Sequence, residues 1–465
     1  MRIKLETLMR TAYLFLSLLL LVCLNNLVFA QEQTQSAQTD EEATWYHPEI
    51  IENPEVKLLA TEGKGKLYQV GEHLVCVMEG SYREMGFQHG KLLADKIEHI
   101  MKQGYYVKAL WSRGYTKEYA YEQSKRMVKF IPEHFLEEAK GIYEGVQSAG
   151  KKDITYEEVL LGATVAEILH FPPNQPPSIP NSCSNFACWG RWTPDGRLIH
   201  GRNLDWTVKA DAQDDAVILV WRPTGKKPYM MVSWAGAIGS VSGMSASGIT
   251  IGEMTLPSPN ATFDGMPLFV TMRLALEQEN LEDAVGVIVK GPQTSGWNFV
   301  VGDGKIPSAR AMEVDAKRVL VYTDNDPKES EETMHWSIPD AVRRTNHPIN
   351  KDGLLDLALK YGSQYGIKVE NWEQLKLILP ILKNQNSYQR YDWLGKQITK
   401  KEKAVDIRKA VDLLANGPVF GDDTLHSFVF DPKNQVAYVS VAGNNPPVTA
   451  TRRAFTKIDL KEWFK

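Results

Sequence analysis

The chain has 465 residues, of which 43% are hydrophobic and 24% charged, with a formal charge of -4. That length can bury a large core, and the composition is that of an ordinary globular protein, which excludes a fibrous, collagen-like or mainly disordered chain. Near-neutral charge without a long Lys or Arg run gives no electrostatic footprint for nucleic acid or an anionic membrane surface.

Arg2, Lys4 and Arg10 flank an apolar run over 12–24, followed by Val28-Phe-Ala30 with suitable residues for a cut before Gln31. This pattern predicts a signal peptide over 1–30 and hence export, to a periplasm or the outside. The run is shorter than the roughly 20 residues that span a bilayer, so no stable membrane insertion is expected once it is removed. Residues 31–44 are rich in Gln, Thr and Glu and read as a flexible leader. The mature chain keeps Cys76, Cys183 and Cys188. Three cysteines make no disulfide framework, so at least one free thiol is expected.

Apolar residues recur at helical spacing over 82–101, 117–147 and 156–169, with Pro132 and Gly150 as punctuation, so 45–182 reads as a mainly helical segment. Its end, 171–180, holds five prolines and can be neither helix nor central strand. This predicts an exposed linker that stops just before Cys183. Beyond it the texture turns to short strands at 184–192, 198–202, 216–221 and 230–234. A Gly/Ser-rich stretch over 236–252 reads as turns between strands. A helical block over 268–290 follows, then strands at 299–302, 309–314 and 319–323. Near the C-terminus, 427–430 and 436–441 flank the hairpin signal Asp431-Pro-Lys-Asn434. Strands and helices in blocks predict an α+β chain built of layers.

Thr193-Pro-Asp-Gly196 carries the residues of a tight turn between two strand-like runs. Antiparallel pairing about it sets position 183 opposite about 206 and returns Arg202, Asn203 and Asp205 to the neighbourhood of Cys183. A thiol at a strand's first residue, beside a guanidinium and a carboxylate, has the surroundings of an activated nucleophile. If the Ser182-Cys183 bond is cut, the freed α-amine, with a pKa of about 8, can serve as the thiol's own base. Arg202 would then favour the thiolate and Asp205 would orient the amine. Two other readings stand beside this one. One is a papain-type Cys/His pair using His170, His335, His347 or His426; the other is a non-catalytic exported ligand-binding protein. No Cys-x-x-Cys pair, close His pair or acidic calcium loop supports a metal, and no cofactor is expected.

Cys183-Ser-Asn-Phe-Ala-Cys-Trp-Gly190, the Pro-Asp-Gly turn and Gly201-Arg-Asn-Leu-Asp-Trp206 together resemble the cysteine N-terminal-nucleophile hydrolases. Within them the chain is most similar to the acyl-coenzyme A:6-aminopenicillanic acid acyltransferase-like group, with choloylglycine hydrolases more distant. Gly80-Ser-Tyr-Arg-Glu-Met-Gly-Phe-Gln-His-Gly90, Trp234-Ala-Gly-Ala-Ile-Gly239 and Gly296-Trp-Asn-Phe299 resemble further motifs of that group. The resemblance implies a four-layer αββα fold and a precursor that cuts itself between Ser182 and Cys183, leaving an α-chain segment (45–182) and a catalytic β-chain (183–465). It implies Cys183 as nucleophile, Asp205 holding its amine, Arg202 as the active-site arginine and Asn298 as a donor to the oxyanion. His89 and Thr345-Asn-His347 match segments with structural or processing roles. Ser182 stands where the penicillin acyltransferase has Gly. The implied substrate is a small-molecule amide or acyl donor.

Overall fold

The computed structural model describes residues 41–170, 183–330, 335–365 and 367–465. The expected signal peptide, nearly all of the leader, the proline-rich linker and Ser182 lie outside the described residues. The chain divides into two units, Met1–Tyr46 and His47–Lys465. In the first, Glu41–Thr44 is a 3-10 turn; everything below concerns the second.

The segment before the linker contains strands as well as helices. β1 (Ile50–Ile51), β2 (Val56–Glu62), β3 (Gly65–Val70) and β4 (His73–Gly80) precede α1 (Tyr82–Leu92), α2 (Ala94–Lys102), α3 (Lys117–Val128), α4 (Glu133–Ser148) and α5 (Tyr156–His170). Each predicted helical stretch is present, and the first two are split in two, at Leu93 and ahead of Pro132. Ser81 opens α1 with a capping box: its hydroxyl accepts from the Glu84 amide while Glu84 accepts from the Ser81 amide. α1 and α4 then pack backbone to backbone. A Cβ at Gly86 or Gly90 would lie 2.1 Å from a carbonyl oxygen of α4, and one at Gly141 or Gly145 would lie 2.2 or 2.4 Å from one of α1. Gly86 and Gly90 of the Gly80–Gly90 motif are therefore a helix contact.

After the linker come β5 (Ser184–Cys188), β6 (Ile199–Asp205), β7 (Ala216–Pro223), β8 (Tyr229–Trp234), β9 (Ser242–Ser245) and β10 (Ile249–Thr255). Helices α6 (Leu268–Leu276) and α7 (Leu281–Lys290) lead to β11 (Trp297–Asp303), β12 (Ser308–Val314), β13 (Val319–Tyr322) and β14 (Ala341–Arg344). Helices α8 (Lys351–Tyr361), α9 (Trp372–Leu382), α10 (Asn386–Thr399) and α11 (Ile407–Ala415) precede β15 (Thr424–Asp431), β16 (Val436–Val441) and β17 (Phe455–Asp459). The Asp431-Pro-Lys-Asn434 hairpin is present, with Asp431 paired to Val436.

Two sheets result. One has seven strands in the order β1-β17-β16-β15-β6-β5-β14, the other ten in the order β13-β12-β11-β10-β9-β8-β7-β4-β3-β2. Val75, Val77, Ile218, Val220 and Met230 of the larger sheet meet Phe428, Phe430, Val439 and Ile458 of the smaller in one apolar cluster, so the sheets face each other. α10 and α11 cover the outer face of the smaller sheet, whereas α1, α6 and α7 cover that of the larger. The layers are α, β, β, α, as the resemblance implied. Among the described residues no helix is long and apolar enough to cross a membrane.

Candidate active site

β5 and β6 form the expected antiparallel pair, with Gly196 donating its amide to Thr193 O at 3.3 Å in the tight turn. The register differs from expectation by two residues. Ser184 pairs with Asn203, so the ladder continues to Cys183 opposite Leu204 instead of 206. The cause is a second turn, closed by the Trp192 amide on Trp189 O, which ends β5 at Cys188 and shifts the centre of the connection. A shift of two preserves the side-chain parity, so the neighbours stay as predicted.

Cys183 is 4% exposed, and its Sγ lies 3.7 Å from the Asp205 main-chain oxygen. The residue's own carbonyl is clasped by Arg390 of α10, whose guanidinium also donates to Ser184 Oγ at 3.1 Å and to Asn346 Oδ1 at 3.1 Å. Asn346 in turn donates to Thr255 O at 2.8 Å. Arg390 thus ties the first strand residue to the 345–347 turn and to β10.

Arg202 and Asp205, three apart on β6, leave opposite faces of the strand. Arg202 reaches the larger sheet, donating from Nε to Glu253 O at 2.6 Å and from Nη1 to Ser242 Oγ at 2.8 Å. Gly252 makes room for it, since a Cβ there would sit 2.9 Å from Arg202 Cδ and 2.3 Å from Asn185 Nδ2. Asp205 accepts from Thr424 Oγ1 at 2.6 Å through one oxygen, and its other oxygen, Oδ2, is buried without a partner among the described residues. Gly421 is the reason that oxygen fits: a Cβ there would come within 2.6 Å of it. Asn203, on the same face of β6 as Asp205, donates to Leu414 O at 2.8 Å.

Burial dominates the electrostatics. It pushes the Cys183 thiol up to about 12 against the lowering pull of Arg202, with Asp205 and Glu253 adding to the rise. It raises Asp205 to about 7, opposed by the Thr424 hydroxyl and by Arg390 and Arg202. Glu253 rises to about 8 although Arg202 lies beside it. Their contact, Nη2 to Oε2 at 3.4 Å, is long for a charged pair, which agrees with a carboxyl that holds its proton near neutrality. A thiol this deeply buried is not a thiolate at pH 7 unless a base is supplied next to it.

The imidazoles are engaged elsewhere. His426 Nε2 lies 2.9 Å from Ser242 Oγ, and His335 and His347 share a 2.8 Å contact between their Nε2 atoms. His170 packs edge-on against Trp297. Among the described residues none of the four is hydrogen-bonded to Cys183 Sγ. His89 accepts from the Gly236 amide at 2.9 Å, a structural link between α1 and the Trp234–Gly239 motif. Asn298 sits on β11 with its amide nitrogen donating to Thr345 O at 2.8 Å and His347 O at 3.3 Å, while its Oδ1 is buried without a partner among the described residues. Its donors therefore hold the 345–347 turn.

Beside the thiol's strand lies an apolar pocket lined by Leu204, Trp206, Trp234, Trp297 and Leu425 and, from the helical segment, by Tyr105, Tyr106 and Leu169 among others. Glu253 is the acidic group in its wall. Among the described residues no cluster of three or more His, Cys, Asp or Glu could hold a metal ion. Arg390, Glu253 and Thr424 were beyond sequence reasoning: each is far from Cys183 in the chain and sits in no motif quoted above.

The chain is similar to an uncharacterized protein of Archaeoglobus fulgidus, with 26% identity over 430 residues, covering 88% of this chain and 66% of that one. It is also similar to the Dictyostelium discoideum protein dcd1B, with 24% identity over 293 residues and 60% and 58% coverage. The matches thus span just under two thirds, or less, of the curated relatives' own lengths. Among solved structures, a Caenorhabditis elegans ortholog of N-acylethanolamine-hydrolyzing acid amidase superposes with a TM-score of 0.38 at 16% identity, over 54% of this chain and 93% of that one. A mutant of conjugated bile acid hydrolase from Clostridium perfringens gives 0.39 at 12% identity, over 60% and 93%. The family model for acyl-coenzyme A:6-aminopenicillanic acid acyl-transferase matches residues 192–446, more than half of the chain. The chain belongs to that family.

Proposed function

We propose that this protein is an exported thiol enzyme that hydrolyses a linear, non-peptide amide, or transfers its acyl group, through a thioester on Cys183. The observation that carries the reading is the buried Cys183, whose Sγ lies 3.7 Å from the Asp205 main-chain oxygen, together with an Asp205 carboxylate oxygen that lacks a partner among the described residues. A donor is missing there, and the α-amine freed by cutting the Ser182-Cys183 bond supplies both that donor and the base the thiol lacks. Self-cleavage before Cys183 is therefore part of the proposal. The amine takes the thiol proton as Sγ attacks the amide carbon, and passes it to the departing amine as the C–N bond breaks. Water or a second amine then releases the acyl group. Arg202 offsets negative charge at sulfur, and Arg390 fixes the Cys183 carbonyl. Asn298 completes the site; to donate to an oxyanion it gives up one of its two carbonyl partners. The apolar pocket suits the acyl part. The basic and apolar N-terminal run supports export.

The test is intact mass and N-terminal sequencing of the wild type beside Cys183→Ala, followed by exposure to a panel of N-acyl amides. A fragment that starts at Cys183 in the wild type alone, and an acyl adduct on it, are expected. An uncut wild type overturns the processing step. A chain whose Cys183 takes no acyl group from any amide overturns the enzyme reading in favour of ligand binding.

A further inference from the structure

A second cavity opens at the edge between the two sheets, where β4 and β7 of the larger meet β16 of the smaller. It is polar where an inter-sheet space is normally filled by apolar side chains. Gln213, 8% exposed, lines it. The Gln213 amide nitrogen donates to Val208 O at 2.7 Å, which fixes the orientation of the group, and its Oε1 is buried without a partner. His73 also lines the cavity and contacts Val439 O through Nε2 at 3.1 Å. A carbonyl only accepts, so Nε2 carries the proton and Nδ1 is left as an acceptor. Donors of opposite character stand in the same lining. Arg453 pairs with Glu72 through Nη2 while its Nε is buried without a partner. Lys96 donates to the Asp214 main-chain oxygen at 2.5 Å.

Among the described residues the cavity therefore holds an unmet neutral acceptor, Gln213 Oε1, and an unmet cationic donor, Arg453 Nε, while the two carboxylates of its lining are engaged, Glu72 by Arg453 and Asp214 by Asn444 Nδ2 at 3.0 Å. We propose that it binds a free α-amino acid as its zwitterion, the ammonium at Gln213 Oε1 and His73, the carboxylate at Arg453 Nε and Lys96. Buried polar atoms without partners are costly, and a ligand carrying both an N–H cluster and a carboxylate satisfies both sets together.

The site is separate from the thiol but not isolated from it. Gln213 follows Ala212 of the apolar pocket, Ala216 pairs with Trp234, and the Ala442 amide donates to Leu425 O at 2.8 Å, so the two cavities share a wall. The amino acid has two sources: the amine half of a cleaved N-acyl amino acid, which rests on the function proposed above, or free solute acting as an effector.

Calorimetric titration with glycine, methylamine and acetate tests the site. Glycine is expected to bind at least about tenfold more tightly than either half-molecule. Gln213→Leu, which removes the Oε1 acceptor, and Arg453→Leu, which removes the guanidinium, should each weaken glycine about tenfold. Equal affinity in Gln213→Leu, or glycine no tighter than methylamine or acetate, or no binding at about 10 mM glycine, overturns the proposal. Dodecanoylglycine added to Cys183→Ala separates the sources. Competition with glycine makes the cavity the seat of the amine half, and simultaneous binding makes it an effector site. Failure of the acyl-glycine to bind at all counts against the amide reading of Cys183 and leaves the glycine result standing.

Discussion

At the scale of single residues, the site depends on an oxygen that has no partner and a glycine that makes room for it. Asp205 Oδ2 occupies the space that a side chain at 421 would take. Gly421→Ala should displace the carboxylate without touching the apolar pocket. The expected result is a fall in kcat of roughly 10²-fold with KM changed little, measured by steady-state kinetics on whichever amide acylates the wild type. A parallel fall of affinity would place the effect in the pocket and overturn the assignment. Cys183, Arg202 and Asp205 were legible because a turn and a strand pair lie within about twenty residues of one another, and pairing geometry did the rest. Arg390, which clasps the Cys183 carbonyl, arrives from mid-helix 207 positions away. Nothing in local sequence distinguishes it from a surface arginine, and only the packing of α10 on β5 reveals it.

Elements meet through two devices that sequence periodicity does not report. The first is the glycine contact of α1 with α4. Gly141→Ala forces a methyl group into the Arg83 carbonyl, so the helices must separate; a loss of roughly 2 kcal/mol in chemical denaturation is expected. A neutral effect would mean the helices can part at no cost. The second is Glu167 of α5, which accepts the Leu268 amide at 2.6 Å at the start of α6 and the Thr294 hydroxyl at 3.1 Å, leaving Oε2 without a partner. Burial raises this carboxyl from 4.5 to about 7, against the lowering effect of those bonds. Between those values the unfolded chain has released a proton that the folded chain still holds, so the native state binds more protons and stability falls as pH rises. Glu167→Gln keeps the accepting oxygen and removes the ionisation. It should match the wild type at pH 4 and exceed it by roughly 1–3 kcal/mol at pH 8 in urea melts. An advantage that is the same at both pH values would refute the linkage. Helical spacing was readable in α1 to α4 because each hides one stripe, and α5, buried nearly all round, showed as an apolar run without breakers. β2 was not, since it is exposed along nearly its whole length and has no alternation to read.

On the scale of the molecule, the piece ahead of the linker is built into both sheets. β1 pairs in parallel with β17 in the smaller sheet, and β4 pairs in parallel with β7 in the larger, carrying β3 and β2 beyond it. Parallel pairing demands a long crossover, and α1 to α5 are that crossover. Glu138 of α4 is also fully buried in an ion pair with Arg273 of α6, at 2.8 Å, and the guanidinium lies 4.3 Å from the ring centres of both Phe135 and Trp221. The layer order was implied by motifs after the linker, whereas the share of strands contributed before it was not, because a mainly helical texture conceals short sheet additions. The consequence is that cutting the chain before Cys183 frees a terminus without freeing a domain. The two pieces should co-elute in gel filtration at neutral pH and part only in denaturant, and residues 183–465 expressed alone should be insoluble. Glu138→Gln leaves Arg273 buried with its charge uncompensated, at a cost of roughly 3–5 kcal/mol, and should lower the denaturant concentration at which the pieces separate. Release of the upstream piece under native conditions, with the thiol still active, would show instead that the strands and pocket wall it contributes are dispensable.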